Sequence, residues 1–206
     1  MPNPILQIDS LTKSFGDLLL FKDISFGIAE GDKIGLIAAN GSGKTTLLNI
    51  IAGKEPYDSG RVVFRNDIRV DYLEQSPEFD PELTVLEACF SADNDIAWDY
   101  ELRIKNILSQ LKIFDFHQKI GELSGGQIKR VALANVLISE PELVILDEPT
   151  NHLDLEMVEW LEEYLTRNNI SLLMVTHDRY FLDRVCTQII EIDDKQVYSY
   201  KGNYSY

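Results

Sequence analysis

Residues 35–46 read GLIAANGSGKTT, and the fold turns on whether this stretch is a phosphate-binding loop. Its end, Gly43-Lys44-Thr45, fits the pattern G-x-x-x-x-G-K-[ST], but position 38 holds alanine where that pattern has glycine. In such a loop consecutive backbone N–H groups wrap a phosphate, and the following helix aims the positive end of its dipole at the same anion. Gly41 and Gly43 admit the close approach because neither carries a Cβ. Asn40, Ser42 and Thr46 belong to the same run of phosphate-side residues. Lys44 is placed to supply a point charge to β- and γ-phosphates, and the Thr45 hydroxyl to meet Mg²⁺. Ala38 stands where the strand leaves the sheet, upstream of those glycines, and with a negative φ its methyl costs little. A strand-turn-helix that is merely glycine-rich explains the stretch equally well when it is taken alone.

The flanking pattern gives the loop its context. Residues 32–38 form an apolar strand running into the loop, and Thr45–Ala52 a helix closed by Gly53. Residues 5–9, 21–28, 61–64 and 68–73 read as strands. Between Pro77 and Glu140 the character is helical, with apolar residues at three- and four-residue spacing over Thr84–Phe90, Tyr100–Lys112 and Gly125–Ile138. Strands return at 143–147, 170–175, 187–193 and 196–200, separated by helices at 155–167 and 178–185. Apolar runs that alternate with helices indicate a parallel sheet covered on both faces. The expected architecture is therefore one α/β domain over 1–206, with a mostly parallel sheet core (about 1–76 and 141–206), antiparallel β elements and a helical subdomain (about 77–140).

Bulk properties exclude several classes. The 206 residues carry a net charge of −15, which argues against a generic nucleic-acid-coating surface because phosphate contacts need Lys and Arg. No apolar run reaches membrane-spanning length, and the N-terminus lacks the basic and apolar regions of a secretory signal. The two cysteines, Cys89 and Cys186, have no metal-ligand spacing. A cytoplasmic location is the simplest reading.

Two further stretches carry chemistry. LVILDEPTNHLD (143–154) puts four apolar residues ahead of Asp147 and Glu148. A buried strand ending in two carboxylates delivers them to the carboxyl edge of a sheet, where ligands of open α/β folds bind. Asp147 is the expected Mg²⁺ partner and Glu148 the general base for an attacking water. ELSGGQIKRVALANVL (122–137) offers a second anion cradle, a Ser124-Gly125-Gly126 loop at the start of a long helix.

Leu123-Ser124-Gly125-Gly126-Gln127 also matches the signature of the ATP-binding cassette (ABC) superfamily, and loop, signature and Asp-Glu strand follow one another in that family's order. The chain thus resembles an ABC-type nucleotide-binding domain of P-loop NTPase fold. The resemblance implies ATP and Mg²⁺ as ligands. It makes Gln75, in VDYLEQSPE, the residue linking metal and attacking water to the helical subdomain, and His177, in LLMVTHDRYF, a contact of the γ-phosphate. Phe15, in LTKSFGD, falls where the family stacks an aromatic on adenine, and a core role for Phe15 fits nearly as well. Asp154 matches an aspartate that communicates across a dimer. Ser124, Gly125, Gly126 and Gln127 are implied to complete the site of a second cassette in trans, so that two ATP molecules hold two cassettes face to face until hydrolysis releases them.

Within the superfamily, PTNHLD (149–154), DRYFLDRVC (178–186) and YKGNYSY (200–206) resemble the ABC-F family, two-cassette proteins without a membrane domain that act mainly on the ribosome. The chain then reads as the N-terminal cassette of a longer protein. Its implied partners are a second cassette, in the same polypeptide or a homodimer, and the ribosome with its rRNA. The alternative is the ATP-binding subunit of a membrane transporter, with a permease as partner. ABC-F cassettes often carry a longer helical insert, whereas 47 residues separate Gln75 from Leu123 here. The loop itself is tested by titration with Mg-ATP: Ala38→Gly leaves affinity nearly unchanged, and Lys44→Ala removes most of it.

Overall fold

Strands β1 (Pro4–Phe15) and β2 (Leu18–Ala29) form a long antiparallel hairpin joined by Gly16 and Asp17. The computed structural model describes residues 4–90 and 98–202, so the polar residues 91–97 and the end of the YKGNYSY stretch lie outside it. Gly16 takes φ +56, a left-handed conformation that a two-residue turn needs and that glycine adopts without steric cost. Both strands outrun the expected 5–9 and 21–28. Register shifts between Ile8 and Ser14 break the apolar alternation by which a strand is recognised in sequence.

β3 (Lys33–Ala38) leads through the glycine loop into α1 (Lys44–Ile51), and Gly53 at φ +73 follows the Ala52 cap. β4 (Ser59–Phe64) pairs with β1 and completes a three-stranded antiparallel sheet in the order β2-β1-β4. After β5 (Val70–Leu73) come α2 (Val85–Cys89), α3 (Trp98–Gln110), a 3₁₀ turn at Ile120–Glu122 and α4 (Gly125–Ile138). The chain closes with β6 (Leu143–Asp147), α5 (Leu155–Arg167), β7 (Ser171–Val175), α6 (Arg179–Val185), β8 (Gln188–Asp193) and β9 (Gln196–Lys201).

The main sheet has six strands in the order β5-β6-β7-β3-β8-β9. Every pair is parallel except β8–β9, so the expected mostly parallel core with antiparallel additions is what forms. β6 and β7 are buried at every position, and successive residues serve opposite faces. Val144, Leu146, Leu172 and Met174 pack with the helices α3 to α6, while Leu143, Ile145, Leu173 and Val175 pack with α1 and the three-stranded sheet. The helices of 77–140 therefore share their core with one face of the sheet. Among the described residues no helix is long and apolar enough to cross a membrane.

This packing brings the carboxyl ends of β3, β6 and β7 to one edge, at Ala38, Asp147 and Val175. The three-stranded sheet contains a demanding glycine where β4 crosses closely over β1. Gly60, at φ +101, lies where a Cβ would come within 2.5 Å of the Ser10 carbonyl oxygen and 2.6 Å of the Leu11 Cα. Both atoms are backbone and cannot yield. Gly60→Ala is expected to destabilise the fold by at least about 2 kcal/mol, read as a lowered urea midpoint at unchanged m.

Candidate functional site

One cavity of about 390 Å³ at the carboxyl edge of the sheet is lined by Phe15, Asn40, Gly41, Gly43, Lys44, Thr45, Thr46, Gln75, Asp147, Glu148 and His177, together with Leu20 and Val175. Residues from both ends of the chain and from its middle meet here because β6 and β3 flank β7 in the sheet. Ala38, the position that breaks the glycine pattern, still pairs with Ile192 of β8 and does not take a positive φ. The condition under which alanine is harmless there is thus met.

The loop has the shape an anion requires. Gly41 and Gly43 take φ +78 and +95, turning the backbone toward α1. A Cβ on Gly41 would stand in open space, whereas one on Gly43 would press on Leu20 at 3.1 Å and Phe21 at 3.4 Å. Ser42 Oγ is buried and has no hydrogen-bond partner among the described residues. Lys44 Nζ donates to the carbonyls of Ala38 at 2.9 Å and Ala39 at 3.1 Å. A phosphate fits this cradle, supplying the acceptor that loop and lysine both call for.

Thr45 Oγ1 donates to Asp147 Oδ2 at 2.9 Å, and Gln75 faces the same space. A hydroxyl, a carboxylate and a carboxamide are the hard oxygen donors that Mg²⁺ takes alongside substrate phosphates. No group of three or more His, Cys, Asp and Glu side chains suited to a metal occurs among the described residues. Burial raises the Asp147 pKa above the ordinary carboxylate value, while the Thr45 hydrogen bond and the charges of Lys129 and Lys44 pull it back.

Glu148 is nearly buried and sits in the left-handed region at φ +53. Its N–H donates to the Val175 carbonyl at 2.8 Å, tying the turn after β6 to the end of β7. Its carboxylate is held by His177, whose backbone N–H donates to Oε2 at 3.2 Å and whose Nε2 lies 3.5 Å from Oε1. Thr150 Oγ1 and Thr176 Oγ1, 3.3 Å apart, link the same two turns.

Ser124, Gly125, Gly126 and Gln127 do not reach this cavity. They form the start of α4, where Ser124 and Gln127 make a reciprocal capping box: Ser124 Oγ accepts from the Gln127 N–H, and Gln127 Oε1 accepts from the Ser124 N–H. Gly126 packs on His152, since an added Cβ would meet its Cβ at 3.4 Å. Asp154 also stands apart from the cavity, capping α5 through the Met157 N–H and pairing with Lys112 Nζ at 2.7 Å. Sequence reasoning missed Leu20 and Val175. Leu20 sits in a leucine run with no polar mark, and only the packing on Gly43 discloses it.

A phosphate cradle after β3 and two carboxylates at the end of β6, on the same carboxyl edge of an open, mostly parallel sheet, define a P-loop nucleotide-binding domain. Residues 21–151 match the family described as ABC transporter. The chain belongs to that ATP-binding cassette family. It is 40% identical to YfmR of Bacillus subtilis (strain 168), an uncharacterized ABC transporter ATP-binding protein, over 97% of this chain and 38% of that protein. Identity is 32% to the energy-dependent translational throttle protein EttA of Mycobacterium tuberculosis (98% of this chain, 43% of EttA). It is also 32% to ABC transporter F family member 2 of Arabidopsis thaliana (97% and 36%). The chain thus spans about two-fifths of the length of these relatives. The YfmR alignment runs over 238 positions, at least 32 more than this chain has residues (238 minus 206), so that relative carries residues absent here. Among solved structures, the dimeric post-hydrolysis state of the cassette MJ0796 bound to ADP and Pi superposes with a TM-score of 0.80 at 25% identity, covering 95% of this chain and 98% of that one.

The raised Asp147 pKa has a definite sign for stability. The native carboxyl holds its proton to higher pH than the unfolded chain does, so ionising it costs the fold stability as pH rises through and beyond the carboxylate range. Without nucleotide, Asp147→Asn should raise the melting temperature at pH 7 to 8, and the gain should vanish toward pH 3. The same variant should lose Mg²⁺-dependent nucleotide binding.

Proposed function

We propose that the chain, as a single cassette over 1–206, binds Mg-ATP and hydrolyses it as one half of an ABC-F protein that works on the ribosome in the cytoplasm. The observation that carries the hydrolytic reading is that Lys44, Thr45, Gln75, Asp147, Glu148 and His177 line one cavity. Lys44 and the loop N–H groups hold the β- and γ-phosphates. Thr45, Asp147 and Gln75 hold Mg²⁺, which when bound neutralises phosphate charge. Glu148 accepts the proton of a water that attacks the γ-phosphorus, and ADP leaves. His177, anchored on Glu148, reaches the γ-phosphate through its exposed imidazole.

Ser124, Gly125, Gly126 and Gln127 lie outside the cavity, which supports their use in trans on the nucleotide of a second cassette, with Asp154 at the same junction. Two sandwiched ATP molecules then favour the closed pair, and hydrolysis releases it. Taken by itself, the chain binds ATP and turns it over slowly. Likeness to EttA and to ABC transporter F family member 2 supports the ribosomal role. The name of YfmR favours a second reading, the ATP-binding subunit of a transporter that works with a permease.

Glu148→Gln should lower kcat about a hundredfold or more with ATP affinity retained, as loss of a general base requires. The same variant in the two-cassette protein, given ATP, should sediment with ribosomes. Sedimentation with membranes instead would favour the transporter reading, and hydrolysis at the parent rate would remove Glu148 as base.

A further inference from the structure

We propose that Lys13 is a positioning residue for nucleotide recognition, holding the Phe15 ring as a fixed stacking platform for the base. This inference rests on the reading of the cavity as a nucleotide site. Lys13 and Phe15 are two residues apart on β1, across a register shift between Lys13 and Ser14. The Lys13 ammonium lies 4.4 Å from the centroid of the Phe15 ring, within cation–π range. The two side chains differ sharply in exposure: Lys13 is 5% exposed and Phe15 is 49% exposed, opening onto the cavity that Gly41, Gly43 and Lys44 line.

A lysine is almost never buried without partners, and this one has two. Its Nζ donates to Glu55 Oε1 at 2.8 Å and to the Pro56 carbonyl at 2.8 Å. The stretch that provides them is itself tied to β1: the Asp58 N–H donates to the Thr12 carbonyl at 3.0 Å, and Ser14 Oγ donates to Asp58 Oδ2 at 2.5 Å. Residues 55–58 follow α1, whose opposite end is the phosphate loop. The clamp therefore fixes the ring relative to the helix that receives the phosphates.

The ring's own chemistry benefits as well. An aromatic face is electron-rich and repels the π face of a base laid flat upon it. An ammonium against the ring draws that density away, which favours stacking on the part left open to the cavity. A neutral residue of equal length at position 13 would fill the space and supply none of this. The ligand chemistry implied is a nucleoside triphosphate read through its base, with inorganic triphosphate indifferent to Lys13.

Titration with Mg-ATP and, separately, with Mg-tripolyphosphate tests this on the 206-residue chain. Lys13→Met should weaken ATP binding roughly three- to tenfold, the range of one cation–π contact, and leave tripolyphosphate binding unchanged. Lys13→Arg should keep most of the affinity. Glu55→Gln, which spares the lysine and its packing, should weaken ATP alone and guards against a folding defect in Lys13→Met. In a Phe15→Ala background Lys13→Met should have no further effect. Equal loss for both ligands, an undiminished loss without the Phe15 ring, or unchanged ATP affinity in both Lys13→Met and Glu55→Gln overturns the proposal. Failure of the unaltered chain to bind Mg-ATP would instead overturn the nucleotide reading beneath it.

Discussion

The hydrogen bond from Thr45 to Asp147 joins the first residues of α1 to the last residue of β6, and the rest of the site depends on it. It forms because β7 lies between β3 and β6, so that their carboxyl ends reach the same edge. That order in turn requires strands apolar on both sides, since β7 is covered by helices on one face and by α1 with the antiparallel sheet on the other. Nothing in the immediate sequence of either residue encodes the contact. The register of β6 with β7, from Leu143 opposite Ser171 to Asp147 opposite Val175, sets it. The cost is a carboxylate in a poorly hydrated place, met by the Thr45 hydroxyl and the nearby Lys129 and Lys44 charges.

The turn that follows β6 shows a second cost. Glu148 is a branched-free but bulky residue in left-handed backbone, a conformation worth on the order of 1–3 kcal/mol of strain. The surroundings hold it there: Val175 takes its N–H and His177 takes its carboxylate. His152, also left-handed at φ +68, continues the turn and meets Gly126 at the start of α4. Lys112, just past α3, pairs with both Asp154 and Glu156. The stretch from Glu148 to Glu156 is therefore gripped by the sheet at one end and by the helical segment at the other. Through His152 the turn that carries Glu148 thus packs against the start of α4.

The sequence made the strand-loop-helix order readable because each buried strand is a short apolar run between polar turns, and β6 and β7 are the plainest cases. The reach of β1 and β2 was not readable. Bulges between Ile8 and Ser14 scramble the alternation, and only pairing across the hairpin restores the strand. Chemistry-bearing residues at strand ends could be read in the same way, since Asp147 and Glu148 directly follow an apolar run and Lys44 closes the glycine loop that follows another. Leu20 could not, because its role is a packing contact with Gly43 that exists only once the hairpin lies over the loop. Lys13 was hidden for a similar reason. A lysine within an amphipathic strand reads as solvated, and its partners Glu55 and Pro56 are more than forty residues away.

Ala38 separates the physical content of a motif from its spelling. The pattern asks for glycine at this position, and glycine is indispensable only where φ is positive or where a Cβ would strike backbone. Ala38 meets neither condition: it ends β3 in paired, ordinary strand geometry, and it contributes to the loop through its carbonyl, which receives Lys44. Gly41 and Gly43 both meet the first condition, and Gly43 is crowded by Leu20 and Phe21 as well, so the least replaceable glycine is the one next to Lys44. A loop of this kind is defined by the backbone path around the anion, and residue identity matters only where that path or its packing leaves no room for a side chain.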